Sequence, residues 1–339
     1  MSAHIRRATL FRAAALAISV PLAIGACSDS GNNNNASGGS SSSGSAAASG
    51  GNCTAKAGSG LVVLKDDKQS QASDNIVPVV NTKVAKAPLT DALNSVSAAL
   101  TQDKLVALNK SVSVDRTPEA DAAKTFVSDN NLGNGLSGGS GNITVAAANF
   151  SESVALANVY AEVLKKAGYN TSVKEIGSRQ LLEPALERNE VQVTPEYAAS
   201  LTTFLSQKKT PTVTPSGNID TTLSLLRPLA TPVGLTVLNA APATDQNAFA
   251  VSKETADAYG LTSLSQLASK CSNEITFGGP PECPQNHFCQ PALASTYGLK
   301  TKFTALDADG PLTRQALKQG TVLLGEVFSS DPDVTAASS

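Results

Sequence analysis

The sequence predicts an α/β protein with parallel-rich sheets. From Ile143 onward, short apolar segments typical of strands alternate with amphipathic segments typical of helices, and such alternation favours parallel strands covered by helices. The chain has 339 residues, of which 41% are hydrophobic, enough for two domains with packed cores. Ligands of such folds lie beyond the carboxyl ends of the strands, so we expect the functional site there.

Apolar periodicity and helix caps predict the elements in chain order. A strand is predicted at 61–64 and helices at 89–100, 102–110 and 118–127, the last one begun by Thr117-Pro118-Glu119. Residues 133–141 contain five Gly and two Ser and predict a flexible linker. Further strands are predicted at 143–148, 171–176, 191–193 and 321–328, and further helices at 156–167, 180–188, 219–226, 253–259, 261–268, 291–297 and 312–318.

Composition excludes several function classes. Lys and Arg number 26 against 28 Asp and Glu, so no basic excess indicates a nucleic-acid partner. His4 and His287 are the only histidines, which excludes most His-dependent catalysis. The glycine-rich segment 138–141 lacks the lysine of a phosphate-binding loop. We therefore expect no enzyme activity and no cofactor.

Residues 1–26 are predicted to be a signal peptide. Arg6, Arg7 and Arg12 give this segment a positive start, and the apolar stretch that follows at 13–24 is too short for a membrane-spanning helix. Ile24-Gly25-Ala26-Cys27 resembles a lipobox, which implies lipidation of Cys27 and anchoring at the outer side of the cell membrane. The alternative is an ordinary signal peptide cleaved near Ala26. Residues 27–57, rich in Asn, Gly and Ser, predict a flexible tether.

The cysteine count fits an oxidising compartment. Four cysteines remain if Cys27 carries lipid, an even number that favours disulfides. Cys283 and Cys289 enclose a short loop and are the expected pair, which leaves Cys53 for Cys271. The alternative, a metal site of Cys283, His287 and Cys289, lacks a fourth ligand nearby and matches no common zinc spacing. No metal is predicted.

Several short motifs follow one another in a fixed order. They are Asn149-Phe150-Ser151-Glu152, Gly177-Ser178-Arg179, Pro184-Ala185-Leu186-Glu187, Pro195-Glu196-Tyr197, Asn247-Ala248-Phe249-Ala250-Val251, Gly278-Gly279-Pro280-Pro281-Glu282-Cys283 and Phe328-Ser329-Ser330-Asp331-Pro332. Together, across about 180 residues, this series resembles solute-binding proteins for glycine betaine, choline and related osmolytes. The resemblance implies a two-lobed, type II periplasmic-binding-protein fold, a small cationic solute and an ABC-transporter permease as partner.

The order of the segments resembles a circular permutation of that family. Relatives continue after the Ser-Asp-Pro segment with a strand, Asp-Asp-Lys, an apolar strand and three helices, and residues 61–68, 77–80 and 89–127 match this part. Lobe 1 is then expected at 58–243, in which 58–132 is the family's C-terminal segment, 133–141 the linker and 142–243 the family's N-terminal segment. Lobe 2 is expected at 244–335. The alternative is a separate N-terminal domain.

The new chain ends would then fall near one of two crossings between the lobes. We expect a single covalent connection at 244–247 and a Cys53–Cys271 bond that re-ties the cut hinge.

The resemblance also implies the binding residues. A quaternary ammonium group cannot donate a hydrogen bond, so aromatic faces hold it, and the family positions are Tyr197, Phe249 and Phe328, with Phe150 as a fourth. Core packing is the alternative for each Phe. The chain departs from the family with Thr194 and with Asp74-Asn75, where relatives carry Tyr. Asp74 would favour a protonated amine or another cation.

Further polar residues are expected near the ligand. Ser151 and Ser178 lie at predicted helix starts and, with Arg179, could receive a ligand carboxylate, or the serines could be plain caps. Asn247 lies in the crossing segment, and Asp331 is expected near the hinge. The expected function is that of an extracytoplasmic solute-binding protein of an ABC importer. The alternative is a surface sensor, or a binding protein for another amine or amino-acid-like solute.

Overall fold

A computed structural model describes residues 51–207, 211–307 and 310–336. The strands are β1 (Leu61–Leu64), β2 (Ile76–Asn81), β3 (Asn142–Ala148), β4 (Asn170–Gly177), β5 (Val193–Tyr197), β6 (Leu235–Val237), β7 (Asn247–Ser252), β8 (Ile275–Gly279), β9 (Thr301–Ala305), β10 (Leu324–Phe328) and β11 (Val334–Ala336). The α-helices are α1 (Ala87–Ala99), α2 (Gln102–Ser113), α3 (Glu119–Asp129), α4 (Ser151–Lys166), α5 (Arg179–Glu187), α6 (Ala198–Ser206), α7 (Ile219–Ala230), α8 (Lys253–Tyr259), α9 (Leu264–Lys270), α10 (Gln290–Tyr297) and α11 (Pro311–Gln319).

The predicted signal peptide, Cys27 and the tether up to residue 50 lie outside the described residues. Within the described part of the chain, no helix combines the length and the apolar character needed to cross a bilayer.

One sheet has five strands in the order β4-β3-β5-β2-β6. β3 is parallel to β4 and β5, and β2 is antiparallel to β5 and β6. Ile76 and Val80 of β2 pack against helices α1 to α4, whereas Val77 and Val79 pack against α5 to α7. Successive side chains of a strand point to opposite faces, so helices cover both faces of this sheet, and β2 is buried along its whole length.

The other sheet has six strands in the order β11-β1-β7-β10-β8-β9. β1 is antiparallel to β7 and parallel to β11, so hydrogen-bonding partners flank it on both sides. This corrects the expected division at 58–243, because 61–64 belong to the same sheet as 247–252. The chain therefore changes from one sheet to the other between β1 and β2.

The chain passes between the sheets twice, from β1 to β2 and from β6 to β7. The two passages pair with each other: Asn75 forms an antiparallel bridge with Thr244. The Ile76 N–H donates to the Ala243 carbonyl at 3.1 Å, and the Asp245 N–H donates to the Asp74 carbonyl at 3.1 Å. We call residues 74–76 with 243–245 the crossing pair. It replaces the expected single connection.

The structure contains the disulfides Cys53–Cys271 and Cys283–Cys289. Cys53 and Cys271 both lie in the core of the six-stranded sheet, beside residues such as Phe249. This bond fastens the segment before β1 to the end of α9. It does not join the two sheets, so the expected role in re-tying a hinge is wrong.

Candidate functional site

A cavity of about 590 Å³ lies beyond the carboxyl ends of the parallel strands of the five-stranded sheet. β3 and β5 end at Ala148 and Tyr197, and helices α4 and α6 begin directly after them. The opposite wall includes Asn247 and Phe328, which pair with each other at the edge of the six-stranded sheet. Both sheets therefore contribute to one cavity, at the position that strand–helix alternation predicts.

Three of the four proposed cage aromatics line this cavity, namely Phe150, Tyr197 and Phe328. The ring centroids of Phe150 and Tyr197 are 6.0 Å apart, with an interplanar angle of 36°. Phe150 is 44% exposed and Tyr197 is 7% exposed, so the first ring reaches into the open cavity and the second forms part of its wall. Such rings present the electron-rich faces that attract cations.

The Tyr197 ring is held by a buried carboxyl group behind it. The Tyr197 hydroxyl donates to Glu152 Oε1 at 2.6 Å, and Asn109 Nδ2 donates to Glu152 Oε2 at 2.5 Å. Burial, together with the negative charge of Asp245, raises the pKa of Glu152 to about 7. Burial also raises the pKa of Tyr197 well above its usual range, so the phenol keeps the proton that it donates.

Two carboxyl groups of the crossing pair, Asp74 and Asp245, also line the cavity. Asp74 accepts from the Ser200 N–H at 2.9 Å and from the Ser200 hydroxyl at 2.6 Å, and so caps the first turn of α6. Asp245 accepts from the Ser330 hydroxyl at 2.7 Å. Burial raises the pKa of Asp74 to about 6, and burial likewise raises the pKa of Asp245. Above about pH 6 the Asp74 carboxyl is mainly negative, and it then favours a positively charged occupant.

The Arg179 guanidinium also lines the cavity, but a carboxylate already engages it. Its Nε donates to Glu196 Oε1 at 3.0 Å and its second terminal nitrogen donates to Glu196 Oε2 at 2.8 Å. Glu196 is buried near the end of β5 and the Arg179 side chain is 26% exposed, so this forked pair is partly shielded from water. The positive charge of Arg179 is therefore compensated by Glu196 within the cavity wall. Among the described residues, no three His, Cys, Asp or Glu side chains are grouped to hold a metal ion.

The Asp74 carboxyl is expected to make the stability of the free protein depend on pH. Because its folded-state pKa is about 6 and the ordinary pKa of an aspartate is 3.8, the folded protein binds this proton more tightly than the unfolded chain does. The resulting stability is fully present below pH 3.8 and is lost as the pH rises through about 6. The free energy of unfolding in urea should therefore change between pH 4 and 7 by roughly 1–3 kcal/mol less in Asp74→Asn than in the parent protein.

Asparagine suits this test because its amide can keep both bonds to Ser200. The matched control is Asp257→Asn, which changes an exposed carboxylate on α8. An Asp74→Asn variant with the same pH slope as the parent protein would contradict the prediction.

Comparison with family models decides the identity of the fold. The model described as the substrate binding domain of ABC-type glycine betaine transport systems matches residues 55–129 and 141–337, which is most of the chain. The chain belongs to this family. The resemblance drawn from the motifs is thereby confirmed, and the family is one of solute-binding domains and not of enzymes. A search of curated proteins found no match.

In this glycine betaine-type binding domain, Phe249 lies outside the cavity. It is 1% exposed, and its ring meets the Phe277 ring edge-on at a centroid distance of 5.8 Å. Side chains at i and i+2 of a strand share a face, so Asn247 and Phe249 point to the same side of β7. Phe249 lies two residues further along the strand, away from the end that reaches the cavity. Asn247 reaches the cavity, and Phe249 is in the core.

Three other predicted residues support the domain without lining the main cavity. The buried Asn75 side chain donates to the Ala241 carbonyl at 2.8 Å. Ser178 precedes α5 as its N-cap residue, without a side-chain capping bond. Asp331 accepts from Arg314 at 2.6 Å and lines a neighbouring cavity that shares Phe150, Asp245 and Phe328 with the first.

The structure adds lining residues that the motifs did not identify. Asp245 belongs to the crossing pair, Phe204 lies on α6, and Phe288 lies in the loop closed by Cys283–Cys289. Asp245 could have been recognised as the acidic residue two positions before Asn247. No periodic pattern marks Phe204 or Phe288 as surface-facing, because their positions depend on how the two sheets meet.

Proposed function

We propose that this binding domain holds a small cationic solute of the glycine betaine and choline class in the cavity and delivers it to the permease of an ABC importer. The observation that carries the proposal is the convergence of aromatic rings and ionisable carboxyl groups from both sheets on one cavity. A quaternary ammonium group offers no hydrogen-bond donor, so it is bound by ring faces and by negative charge.

The charge balance of the wall favours a cation. The Asp74 carboxylate contributes negative charge above about pH 6, and the Arg179 charge is compensated by Glu196. Aromatic and aliphatic surfaces lower the local dielectric, which strengthens each charge–charge interaction with a bound ligand. A solute with a positive head therefore gains more from this cavity than a neutral solute of equal size.

The proposed mechanism is closure of two lobes about the crossing pair. A ligand that touches Tyr197 on one sheet and Phe328 on the other stabilises the state in which both are close. The circular permutation is part of the same proposal. The two matched segments on either side of the Gly-rich linker 133–141, and the position of β11 beside β1, support it. Signal peptide, lipidation at Cys27 and a tether would keep the domain near its permease.

Calorimetric titration tests the proposal. Choline, glycine betaine, proline betaine and carnitine are added in turn to the mature protein, with 3,3-dimethylbutanol as the uncharged isostere of choline. We expect saturable binding of at least one cation. The uncharged isostere should bind at least about tenfold more weakly than choline. Choline affinity should fall by up to about tenfold from pH 7.5 to pH 5, as Asp74 and Glu152 take up protons.

Absence of binding by every member of the panel would contradict the proposal. Delivery is tested separately by uptake of the labelled solute into cells that lack the protein. If the protein binds the solute but cells with and without it take up the solute equally fast, the importer role is wrong. The sensor role is then the one that fits.

A further inference from the structure

The loop that follows β8 emerges at the cavity edge of the six-stranded sheet. β8 and β10 are parallel, with Phe277 and Gly278 paired to Leu324 and Gly325. The carboxyl end of β10 carries Phe328, so the segment after Gly279 begins beside a residue that lines the cavity. We call residues 283–289 the disulfide loop.

The disulfide loop is anchored in the core. Cys283 and Cys289 are bonded to each other and are 0% and 1% exposed. The Cys283 N–H donates to the Pro280 carbonyl at 2.9 Å, and the Cys289 N–H donates to the Asn286 carbonyl at 2.9 Å. A Cβ at Gly279 would lie 3.3 Å from the Glu326 Cβ, so the close approach of the strands at the base of the loop favours glycine.

Phe288 occupies the position between solvent and core. His287 is exposed, Phe288 is half-buried and lines the cavity, and Cys289 is buried. The Phe288 N–H donates to Asn286 Oδ1 at 3.0 Å, which fixes the backbone next to the anchored cysteine. An aromatic ring that is half-exposed on a short, tied loop and faces a cavity is suited to contact a ligand.

We propose that Phe288 is a ligand-contacting aromatic residue and that the Cys283–Cys289 bond positions it. This inference rests on the proposed function. Phe288 and Phe328 both line the cavity, so the six-stranded sheet and its loop contribute two rings to it. The ring strengthens the preference for a cation over an uncharged solute of the same shape.

Phe288→Leu tests the contact because it removes the aromatic face and keeps most of the apolar volume. Choline affinity should fall by about 3- to 10-fold, and affinity for 3,3-dimethylbutanol should stay within about twofold. The control is Phe303→Leu, which changes a ring of β9 packed on Phe277 at 5.9 Å and outside the cavity. This control should leave both affinities unchanged.

The role of the disulfide is tested with the double variant Cys283→Ala, Cys289→Ala, alone and combined with Phe288→Leu. If the bond acts through Phe288, the combined variant binds choline no more weakly than the weaker of the two separate variants. Fully additive losses would overturn the positioning role. A Phe288→Leu protein that keeps parental choline affinity would overturn the contact, and a parent protein that binds none of the cations would instead overturn the proposed function.

Discussion

Replacing Tyr197 with leucine is expected to weaken choline binding by about 10- to 30-fold. The Tyr197 ring is 7% exposed, so a cation against it is largely shielded from water. Cation–π attraction reaches about 2 kcal/mol under such conditions. Leucine fills similar space but has no electron-rich face. Affinity measured by calorimetry at pH 7.5 checks the prediction.

Tyr197→Phe separates the ring from its hydroxyl group. The ring is retained, so choline affinity should stay within about threefold of the parent value. The hydroxyl that donates to Glu152 at 2.6 Å is lost, however, and a buried acceptor without its donor costs about 1–3 kcal/mol. The free energy of unfolding in urea should therefore fall in both variants, whereas choline affinity should fall strongly only in the leucine variant.

The matched control for both variants is Tyr259→Leu on α8, which carries a tyrosine outside the cavity. It should leave choline binding unchanged. If Tyr197→Leu bound choline as tightly as the parent protein, the aromatic wall would have no part in recognition.

The sequence predicted the elements that bury one clear face. The helix expected at 156–167 is α4, Ser151–Lys166, whose apolar side chains recur at helical spacing. The helix expected at 261–268 begins only at Leu264, because the Ser263 side chain accepts the Gln266 N–H and caps it there. Helix boundaries thus depend on single side-chain bonds, which periodicity does not reveal.

The missed elements lack such a face. α6 is rich in Ala, Thr and Leu and is buried on most sides, so no polar stripe marks it. β9 is a sheet edge with exposed alternate residues, and its short pattern resembles a loop. The sheet to which β1 belongs depends on pairing with β7 and β11, nearly 200 and more than 270 residues away along the chain, and local sequence carries no such information.

The residues that line the cavity were predictable where they follow strands directly. Phe150, Tyr197 and Phe328 lie at strand ends, and the family resemblance placed them at the ligand. Phe249 was also predicted at the ligand, but it lies within β7 and not at its end, and it does not line the cavity. Asp245 and Phe288 reach the cavity through a crossing segment and a disulfide loop, whose geometry comes from tertiary structure alone.

Removing the Cys53–Cys271 bond is expected to cost roughly 5 kcal/mol of unfolding free energy. The two residues are 218 positions apart, and the entropy that a cross-link removes from the unfolded chain grows with the logarithm of the closed length. Cys283–Cys289 closes a loop between residues only six positions apart, and the same relation gives about 2 kcal/mol of unfolding free energy for it. The free energy of unfolding of a domain is commonly about 5–15 kcal/mol, so loss of the Cys53–Cys271 bond alone removes a large part of it.

Native contacts of residues 51–58 are expected to persist without the bond. The Ser252 hydroxyl donates to the Lys56 carbonyl at 2.6 Å, and the Gly58 N–H donates to the Lys318 carbonyl at 2.8 Å. These bonds attach the segment to the six-stranded sheet independently of sulfur. The destabilisation should therefore come from the unfolded state, and choline binding at 10 °C should be kept in Cys53→Ala, Cys271→Ala.

Urea unfolding of the two double alanine variants beside the parent protein measures the difference. Cys53→Ala, Cys271→Ala should have much the lower midpoint, although both variants delete a pair of buried sulfurs and so lose similar apolar contacts. Equal midpoints would show that burial and not chain length determines the effect. Because the long-range bond lies in the core of the six-stranded sheet, its loss should change stability without changing ligand preference, whereas loss of the short bond should lower stability less and should also change ligand preference.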